Sequence, residues 1–155
     1  MMHQLLLFNN TKQHHNHNKS QKHNTPKTFD VLYADPPWSY NQRTFLNKKA
    51  NNTGAAEDHY NTMSEQQLIN MGEAVKQISS KNAILFMWTT GPQLQVSINV
   101  LNAWGYNYKT IAFVWEKMRT NPGYYTMSSN EIVITGIRKN GCIPKPRGSR
   151  NEKQF

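Results

Sequence analysis

The chain has 155 residues, which suits a single domain, and its 18 Lys and Arg against 9 Asp and Glu give a formal net charge of +9. A charge balance this basic favours a polyanionic partner. The single Cys142 excludes an internal disulfide and a cysteine metal cluster and fits a reducing compartment, and no apolar run is long enough to cross a membrane.

The first 28 residues are predicted to be a disordered basic tail. They are rich in Asn, Gln, His, Lys and Thr, contain no acidic residue and show no hydrophobic periodicity. His14, His15 and His17 suggest a metal site, but nothing fixes their geometry, so we interpret them as part of a polar linker and predict no bound metal. Residues 29–155 are predicted to form the folded domain.

A mostly apolar run from residue 29 to 34 ends on Asp35, Pro36, Pro37 and Trp38. This pattern predicts a buried strand that ends in a rigid corner, because consecutive prolines fix their own φ and restrict the residue before each. The Asp35 carboxylate and the Pro36 carbonyl are two acceptors that match the two N–H donors of an exocyclic amino group. Pro37 is expected to stiffen the corner, and Trp38 to stack on the flat base.

Residues 39–59 follow this corner and form a long, polar and basic segment. Loops of this length inside a compact domain are usually functional or disordered. The segment is placed to close over an unstacked base or to touch phosphates, and the alternative is an insertion with incidental charge.

The following elements alternate between helix and strand. Ser64 opens a capping box with Gln67, which predicts a helix over residues 65–78, and a short apolar strand follows at 83–88. A second helix is predicted to start at Gly91 and end near Gly105, before strands over 108–115 and 130–138. The basic and aromatic connection 116–129 is either a nucleic-acid contact surface or an ordinary crossover with an Asn-Pro-Gly turn.

The Asp-Pro-Pro-Trp corner is the first of an ordered series of motifs, which continues through residues 54–64, 85–90, 103–106, 113–117 and 123–125. This series resembles the MT-A family, named after the seventy-kilodalton subunit of the messenger-RNA adenosine methyltransferase, whose microbial and phage relatives act as DNA adenine methyltransferases. The resemblance covers about three quarters of the chain, from residue 29 onward.

The resemblance implies an α/β fold, the Rossmann-like class I methyltransferase fold in a permuted order, present as a partial sheet with helices on both faces. It implies S-adenosyl-L-methionine as the cofactor and the amino group of adenine in nucleic acid as the substrate, with DNA favoured over RNA. Asp35 is expected to contact the methionine end of the cofactor as well as the substrate. Tyr60 and Lys117 match family positions near the substrate cleft. The expected location is the cytoplasm, or the nucleus in a eukaryote.

The glycine-rich turn that binds this cofactor in the class I fold has no counterpart, because no two glycines are separated by one residue. In the family resembled, much of the cofactor site lies further towards the C-terminus. We therefore expect one piece of a split or truncated enzyme that is completed by another chain, with the strand before Asp35 at the edge of its sheet. The alternatives are a catalytically inactive nucleic-acid-binding subunit, a cytosine-N(4) methyltransferase, and a non-functional gene remnant.

Overall fold

The computed structural model of the protein describes residues 6–8, 27–39, 61–121 and 125–142. In these ranges the chain forms one sheet with the strand order β1-β2-β3-β5-β4, three helices and a 3-10 turn. The strands are β1 (Leu6–Phe8), β2 (Phe29–Ala34), β3 (Ser79–Thr89), β4 (Tyr106–Asn121) and β5 (Ser128–Arg138). The helices are α1 (Glu65–Asn70), α2 (Gly72–Ile78) and α3 (Leu94–Ala103), and the 3-10 turn is Gly91–Gln93.

The strand directions bring three carboxyl ends to one edge of the sheet. Strand β2 pairs with β3 in parallel, and β5 pairs with both β3 and β4 in antiparallel orientation. Strand β4 therefore runs in the same direction as β2 and β3. Ligands of open α/β sheets bind outside the carboxyl ends of parallel strands, so this edge is where a site is expected.

Strands β4 and β5 are longer than the sequence predicted. They form a long hairpin, in which β4 continues to Asn121 and β5 begins at Ser128. Of the two alternatives for residues 116–129, the ordinary crossover is therefore wrong for 116–121 and 128–129, which lie in these strands, and the nucleic-acid contact surface stays a prediction. Two antiparallel neighbours need only a hairpin connection, and residues 122–124 at its tip lie outside the described residues.

The predicted capping box is confirmed. The Ser64 Oγ accepts a hydrogen bond from the Gln67 backbone N–H at 3.3 Å, and the Ser64 backbone N–H donates to Gln67 Oε1 at 2.8 Å. The single helix predicted to follow is divided at Met71 into α1 and α2. At Gly72, a Cβ would lie 2.8 Å from the carbonyl oxygen of Ala103, so glycine lets the start of α2 approach the end of α3 closely.

The second helix ends as predicted. Gly105 follows α3 with φ of +88°, a conformation that glycine adopts without steric cost, and its N–H donates to the Asn102 carbonyl at 3.1 Å. None of the helices in the described part of the chain has the length and apolar character that a membrane crossing requires.

The two faces of the sheet differ. One face, called here the helix face, packs against α1, α2 and α3 and supplies the core; its buried strand residues include Leu32, Ala34, Leu85, Met87 and Ile134. The indole N–H of Trp104 donates to the Leu68 carbonyl at 2.7 Å and joins the helices to each other. The sequence predicted helices on both faces, whereas the helices in the described ranges all pack on this one.

The opposite face, called here the open face, carries the alternate residues of the same strands. Its aromatic residues are Tyr33, Phe86, Trp88, Phe113 and Trp115. Phe113 and Trp115 are 48% and 53% exposed, whereas Leu85 and Met87 on the helix face are fully buried. The sheet is thus sealed on one side and solvated in part on the other.

The strand β1 corrects two predictions. The sequence predicted no structure before residue 29, but Leu6–Phe8 pairs in antiparallel orientation with β2, Leu6 opposite Tyr33 and Phe8 opposite Val31. Strand β2 was expected at the edge of the sheet, and β1 covers part of that edge. The physical reason is that an exposed strand edge offers unpaired N–H and C=O groups, which a short apolar segment of the same chain can satisfy.

Candidate active site

The corner at the carboxyl end of β2 is the centre of the candidate site. Burial alternates along this stretch from Leu32 to Trp38, so that Ala34, Pro36 and Trp38 are buried and Asp35 between them is exposed. Because successive side chains of a strand point to opposite faces, Asp35 follows Tyr33 on the open face, whereas Trp38 packs in the core with the helix-face residues. The acidic group is thus presented to solvent from a corner that is otherwise packed.

Four hydrogen bonds hold this corner. The Trp38 backbone N–H donates to the Pro36 carbonyl at 2.9 Å, and the Met63 N–H donates to the Pro37 carbonyl at 2.8 Å. The Trp38 indole Nε1–H donates to the Trp88 carbonyl at 3.0 Å, and Gln93 Nε2 donates to the Ser39 carbonyl at 2.9 Å. Prolines contribute no N–H, so the carbonyls here are satisfied by groups from outside the two prolines.

The stacking role that the sequence suggested for Trp38 was wrong. Its side chain is only 5% exposed, belongs to the hydrophobic core and is tied to β3 through the Trp88 carbonyl. Trp38 is thus packed in the core, whereas the Asp35 side chain is exposed. Trp38 therefore anchors the corner and does not offer a ring to a ligand of Asp35.

The Pro36 carbonyl can accept a second hydrogen bond, as its predicted role as an acceptor requires. A carbonyl oxygen has two lone pairs, and the Trp38 N–H occupies one of them. The Pro37 carbonyl is engaged by Met63, which links the corner to the approach to α1. Pro36 and Asp35 are adjacent in the chain.

Gln93 is a part of the site that the sequence analysis missed. It lies at the end of the 3-10 turn after β3, and its own backbone carbonyl accepts a hydrogen bond from Ser97 Oγ at 2.8 Å. Ser97 is fully buried and also hydrogen-bonds to Thr89 Oγ1. A glutamine in a turn gives no sequence signal for this role, because its partner, Ser39, lies 54 residues away.

A row of aromatic rings crosses the open face beside Asp35. Ala34 pairs with Met87, so the next residues, Asp35 and Trp88, lie side by side on adjacent strands. The Trp88 ring contacts Tyr33 edge to face, with centroids 6.3 Å apart, and its indole N–H donates to the Tyr33 hydroxyl. On its other side Trp88 contacts Trp115 with centroids 6.1 Å apart.

Of the two candidate substrate-binding residues, the structure describes Lys117 but not Tyr60. Lys117 lies in β4, forms an ion pair with Glu131, and has its Nζ 6.0 Å from the centroid of the Trp115 ring. It therefore belongs to the open face at the same edge of the sheet as Asp35. Tyr60 lies outside the described residues, as does most of the long segment after the corner.

A buried polar cluster at the opposite edge of the sheet has a structural role. Burial raises the pKa of the Tyr106 phenol, while its hydrogen bond to Ser79 and the positive charge of Arg138 lower it. Ser79 begins β3 and Tyr106 begins β4, so this cluster lies at the amino ends of the strands, away from Asp35. It joins the start of the sheet to the end of α2.

The similarity to known proteins coincides with this core. The sequence profile of the MT-A70 family matches residues 29–141. The chain is 43% identical over 140 residues to the Type II methyltransferase M.MunI of Mycoplasma sp, an alignment that covers 83% of this chain and 58% of that relative.

More distant relatives share the same region. The N(6)-adenosine-methyltransferase MT-A70-like protein of Arabidopsis thaliana is 26% identical over 121 residues, 73% of this chain and 15% of that protein. The human N(6)-adenosine-methyltransferase catalytic subunit METTL3 is 25% identical over 120 residues, 72% of this chain and 18% of that protein. The chain thus spans less than two thirds of the length of these relatives. The matched profile and the 43% identity show that the chain belongs to the MT-A70 family, with its class I methyltransferase fold.

Proposed function

We propose that this chain carries the substrate-holding part of an S-adenosyl-L-methionine-dependent methyltransferase that modifies the N6 amino group of adenine in nucleic acid. The observation that carries the proposal is the exposed Asp35 at the carboxyl edge of the sheet, in a corner whose other side chains are packed. Membership of the MT-A70 family supports methyl transfer as the reaction class. The names of the Arabidopsis and human relatives support the N6 position of adenosine.

The corner supplies two acceptors for the amino group. The Asp35 carboxylate accepts one N–H, and the second lone pair of the Pro36 carbonyl accepts the other. When both hydrogens are held in this way, the nitrogen lone pair is drawn out of conjugation with the ring and points away from the corner. The hydrogen bonds of Trp38 and Gln93 keep the two acceptors in a fixed relation, which is a positional form of catalysis.

The cofactor supplies an electrophilic methyl group on a sulfonium when it is bound. Its methionine end carries an ammonium, and the exposed Asp35 carboxylate at the ligand-binding edge of an α/β sheet fits such a group. Asp35 is the one cofactor contact proposed within the described residues. No strong base is needed in the corner, because an alkylated amine loses its proton readily to water.

The proposal favours DNA over RNA, as the resemblance to microbial and phage DNA adenine methyltransferases implies; the chain is also more similar to the Type II methyltransferase M.MunI than to the N(6)-adenosine-methyltransferases. The net charge of +9 fits either polymer. Lys117, beside the open face, is the proposed contact with the nucleic acid. Tyr60 stays a proposed substrate contact on the strength of its position in the sequence.

A complementing polypeptide is the second proposed partner. Strand β2 has six residues, and within the described part of the chain β1 pairs with three of them, so another strand is proposed to pair along the rest of the β2 edge. Light scattering or sedimentation velocity on the purified chain measures this directly, and a strict monomer at all concentrations argues against self-complementation.

The experiment that tests the proposed function is transfer of a labelled methyl group from S-adenosyl-L-methionine to DNA or RNA, followed by digestion and separation of the modified nucleosides. The expected product is N6-methyladenosine in its deoxy form, and the Asp35→Asn variant is expected to lose most of it. Methylcytosine as the product would mean that the target base is cytosine and not adenine. Nucleic-acid binding with no transfer would favour the inactive-subunit alternative.

A further inference from the structure

The open face carries a large aromatic side chain whose exposure the fold does not explain. Trp115 is 53% exposed, although a tryptophan buries more apolar area than any other residue when it is packed. The ring contacts Trp88, and the Lys117 ammonium lies over it, 6.0 Å from its centroid. The remaining surface of the indole is presented to solvent.

Phe113 and Trp88 are less suited to receive a ligand. Phe113 leans on Phe86 with ring centroids 6.2 Å apart and an interplanar angle of 32°, so one of its faces is already covered. The edges of Trp88 are held between Tyr33 and Trp115. Trp115 is thus the ring at the end of the row, and the one with free surface towards the edge of the sheet.

The sheet geometry fixes how far Trp115 lies from the acidic corner. Asp35 lies beside Trp88, which pairs with Val133, which in turn pairs with Phe113, and Trp115 comes two residues after Phe113. Strands β2 and β4 are separated by three inter-strand spacings, about 14 Å in total. Successive nucleotides of one strand rise by about 3.4 Å when stacked and by more when splayed. The separation corresponds to about four stacked rises, so a single base held at Asp35 does not reach Trp115, whereas a base a few nucleotides along the same strand does.

Two cations lie near Trp115 in strand β4, although Glu131 pairs with one of them and the exposed Glu116 adjoins the ring residue. Lys117 lies beside its ring, and Arg119 follows in the exposed part of the hairpin. Cations next to exposed aromatic rings are the combination that binds single-stranded nucleic acid, with the rings under the bases and the cations on the phosphates. Glu131 opposes Lys117 and orients it next to Trp115.

We propose that Trp115 is the stacking platform for a nucleotide a few positions from the target adenine on the same strand, with Lys117 positioned beside it for that nucleotide's phosphate. This inference rests on the proposed function, since it takes the target base to be held at Asp35. It transfers the stacking role that the sequence gave to Trp38 to a ring on the same face as Asp35, and to a different nucleotide.

The test measures binding of a fluorescein-labelled deoxyadenosine dodecamer by anisotropy, together with quenching of the tryptophan fluorescence. A second dodecamer has every other adenine replaced by an abasic site, which keeps the phosphates and removes the bases that would stack. The variants are Trp115→Ala, Trp115→Phe as the conservative replacement, and Val114→Ala as the matched control. Val114 is the neighbour of Trp115 on the opposite face and is 39% exposed.

Trp115→Ala is expected to weaken binding of the intact dodecamer about tenfold and binding of the abasic dodecamer much less. Trp115→Phe should retain most of the affinity, and Val114→Ala should bind as the original protein does. Equal affinity of Trp115→Ala and the original protein for the intact dodecamer would overturn the proposal, as would an equal loss on both dodecamers or no binding by the original protein.

Methyl transfer and nucleic-acid binding test the proposed function and the stacking role of Trp115 separately. Asp35→Asn tests methyl transfer and should leave the tenfold effect of Trp115→Ala on binding unchanged. If transfer depends on Asp35 but binding is indifferent to Trp115, the stacking platform is wrong and the proposed function stands. If binding depends on Trp115 but no methyl group is transferred, Trp115 stands as a stacking platform for a nucleotide and the proposed function is wrong.

Discussion

The two faces of this sheet are built from alternate residues of the same strands, yet they differ in almost every property. The helix face is aliphatic, closed by α1, α2 and α3, and contains fully buried side chains such as Leu32 and Leu85. The open face is aromatic, half-exposed in places, and carries Asp35 and Lys117. The helix face therefore holds the fold, and the open face is available to a ligand. The corner from Asp35 to Trp38 contributes to both, because Asp35 is exposed and Trp38 is buried in the core.

Two neighbouring residues of β3 test whether the helix face contributes more to stability than the open face. Leu85 is fully buried on the helix face, and Phe86 is its partly buried neighbour on the open face. Leu85→Ala is expected to lower the free energy of unfolding by about 2–5 kcal/mol, because it leaves a cavity in the core. Phe86→Ala removes more atoms but should cost less, because its site is already open to solvent. Urea denaturation of both variants measures the difference, and a larger loss for Phe86→Ala would mean that the open face is part of the core.

Gly136 tests how tightly the helix face is packed. It pairs with Leu85, and an added Cβ would lie 2.9 Å from Leu101 Cδ2. Gly136→Ala is therefore expected to cost about 1–3 kcal/mol through overpacking against α3. Asn130→Ala, at an exposed position of the same strand, is the control and should cost less than this. Thermal unfolding measures both losses of stability. A larger loss for the control than for Gly136→Ala would mean that the helix face is not tightly packed at this position.

The anchor role of Trp38 predicts a smaller effect. Trp38→Phe keeps a buried aromatic ring but removes the N–H that binds the Trp88 carbonyl, so the free energy of unfolding should fall by about 1 kcal/mol. Methyl transfer should decrease through kcat, because the acceptors move, while affinity for nucleic acid is retained. A loss of affinity with unchanged stability would instead restore the stacking role for Trp38.

Gln93 should have the smallest effect on stability. Gln93→Met has a similar volume but cannot donate to the Ser39 carbonyl, so kcat is expected to fall several-fold while the unfolding free energy changes by less than about 1 kcal/mol. Gln95→Met, two residues further along on the exposed surface of α3, is the matched control and should be neutral. Equal rates for the two variants would remove Gln93 from the support of the corner.

The sequence predicted the parts of the fold that local signals determine. The capping box at Ser64, the glycine after α3 and the apolar run into Asp35 depend on residues within a few positions of each other, and all three are present in the structure. The break at Met71 depends on the approach of Ala103 to Gly72, and the pairing of Leu6–Phe8 depends on an unfilled strand edge. Neither contact has a local signature, because the partners are distant in the sequence.

The same distinction applies to the site. Asp35, Pro36 and Pro37 follow from one short motif, whereas the face on which Trp38 lies requires the strand register and burial to be known. Gln93 reaches the corner through a hydrogen bond to the Ser39 carbonyl, 54 residues away, and Trp115 comes to the open face through the order of the strands.

The central claim is that Asp35 acts on the substrate and does not hold the fold, and it is tested most directly by measuring methyl transfer and unfolding on the same preparation of Asp35→Ala. The account predicts that transfer falls by at least about a hundredfold, since one of two acceptors of the amino group is lost, while the melting temperature stays within a few degrees of the original. Retained transfer would contradict it, and so would a fall in stability as large as that of Leu85→Ala.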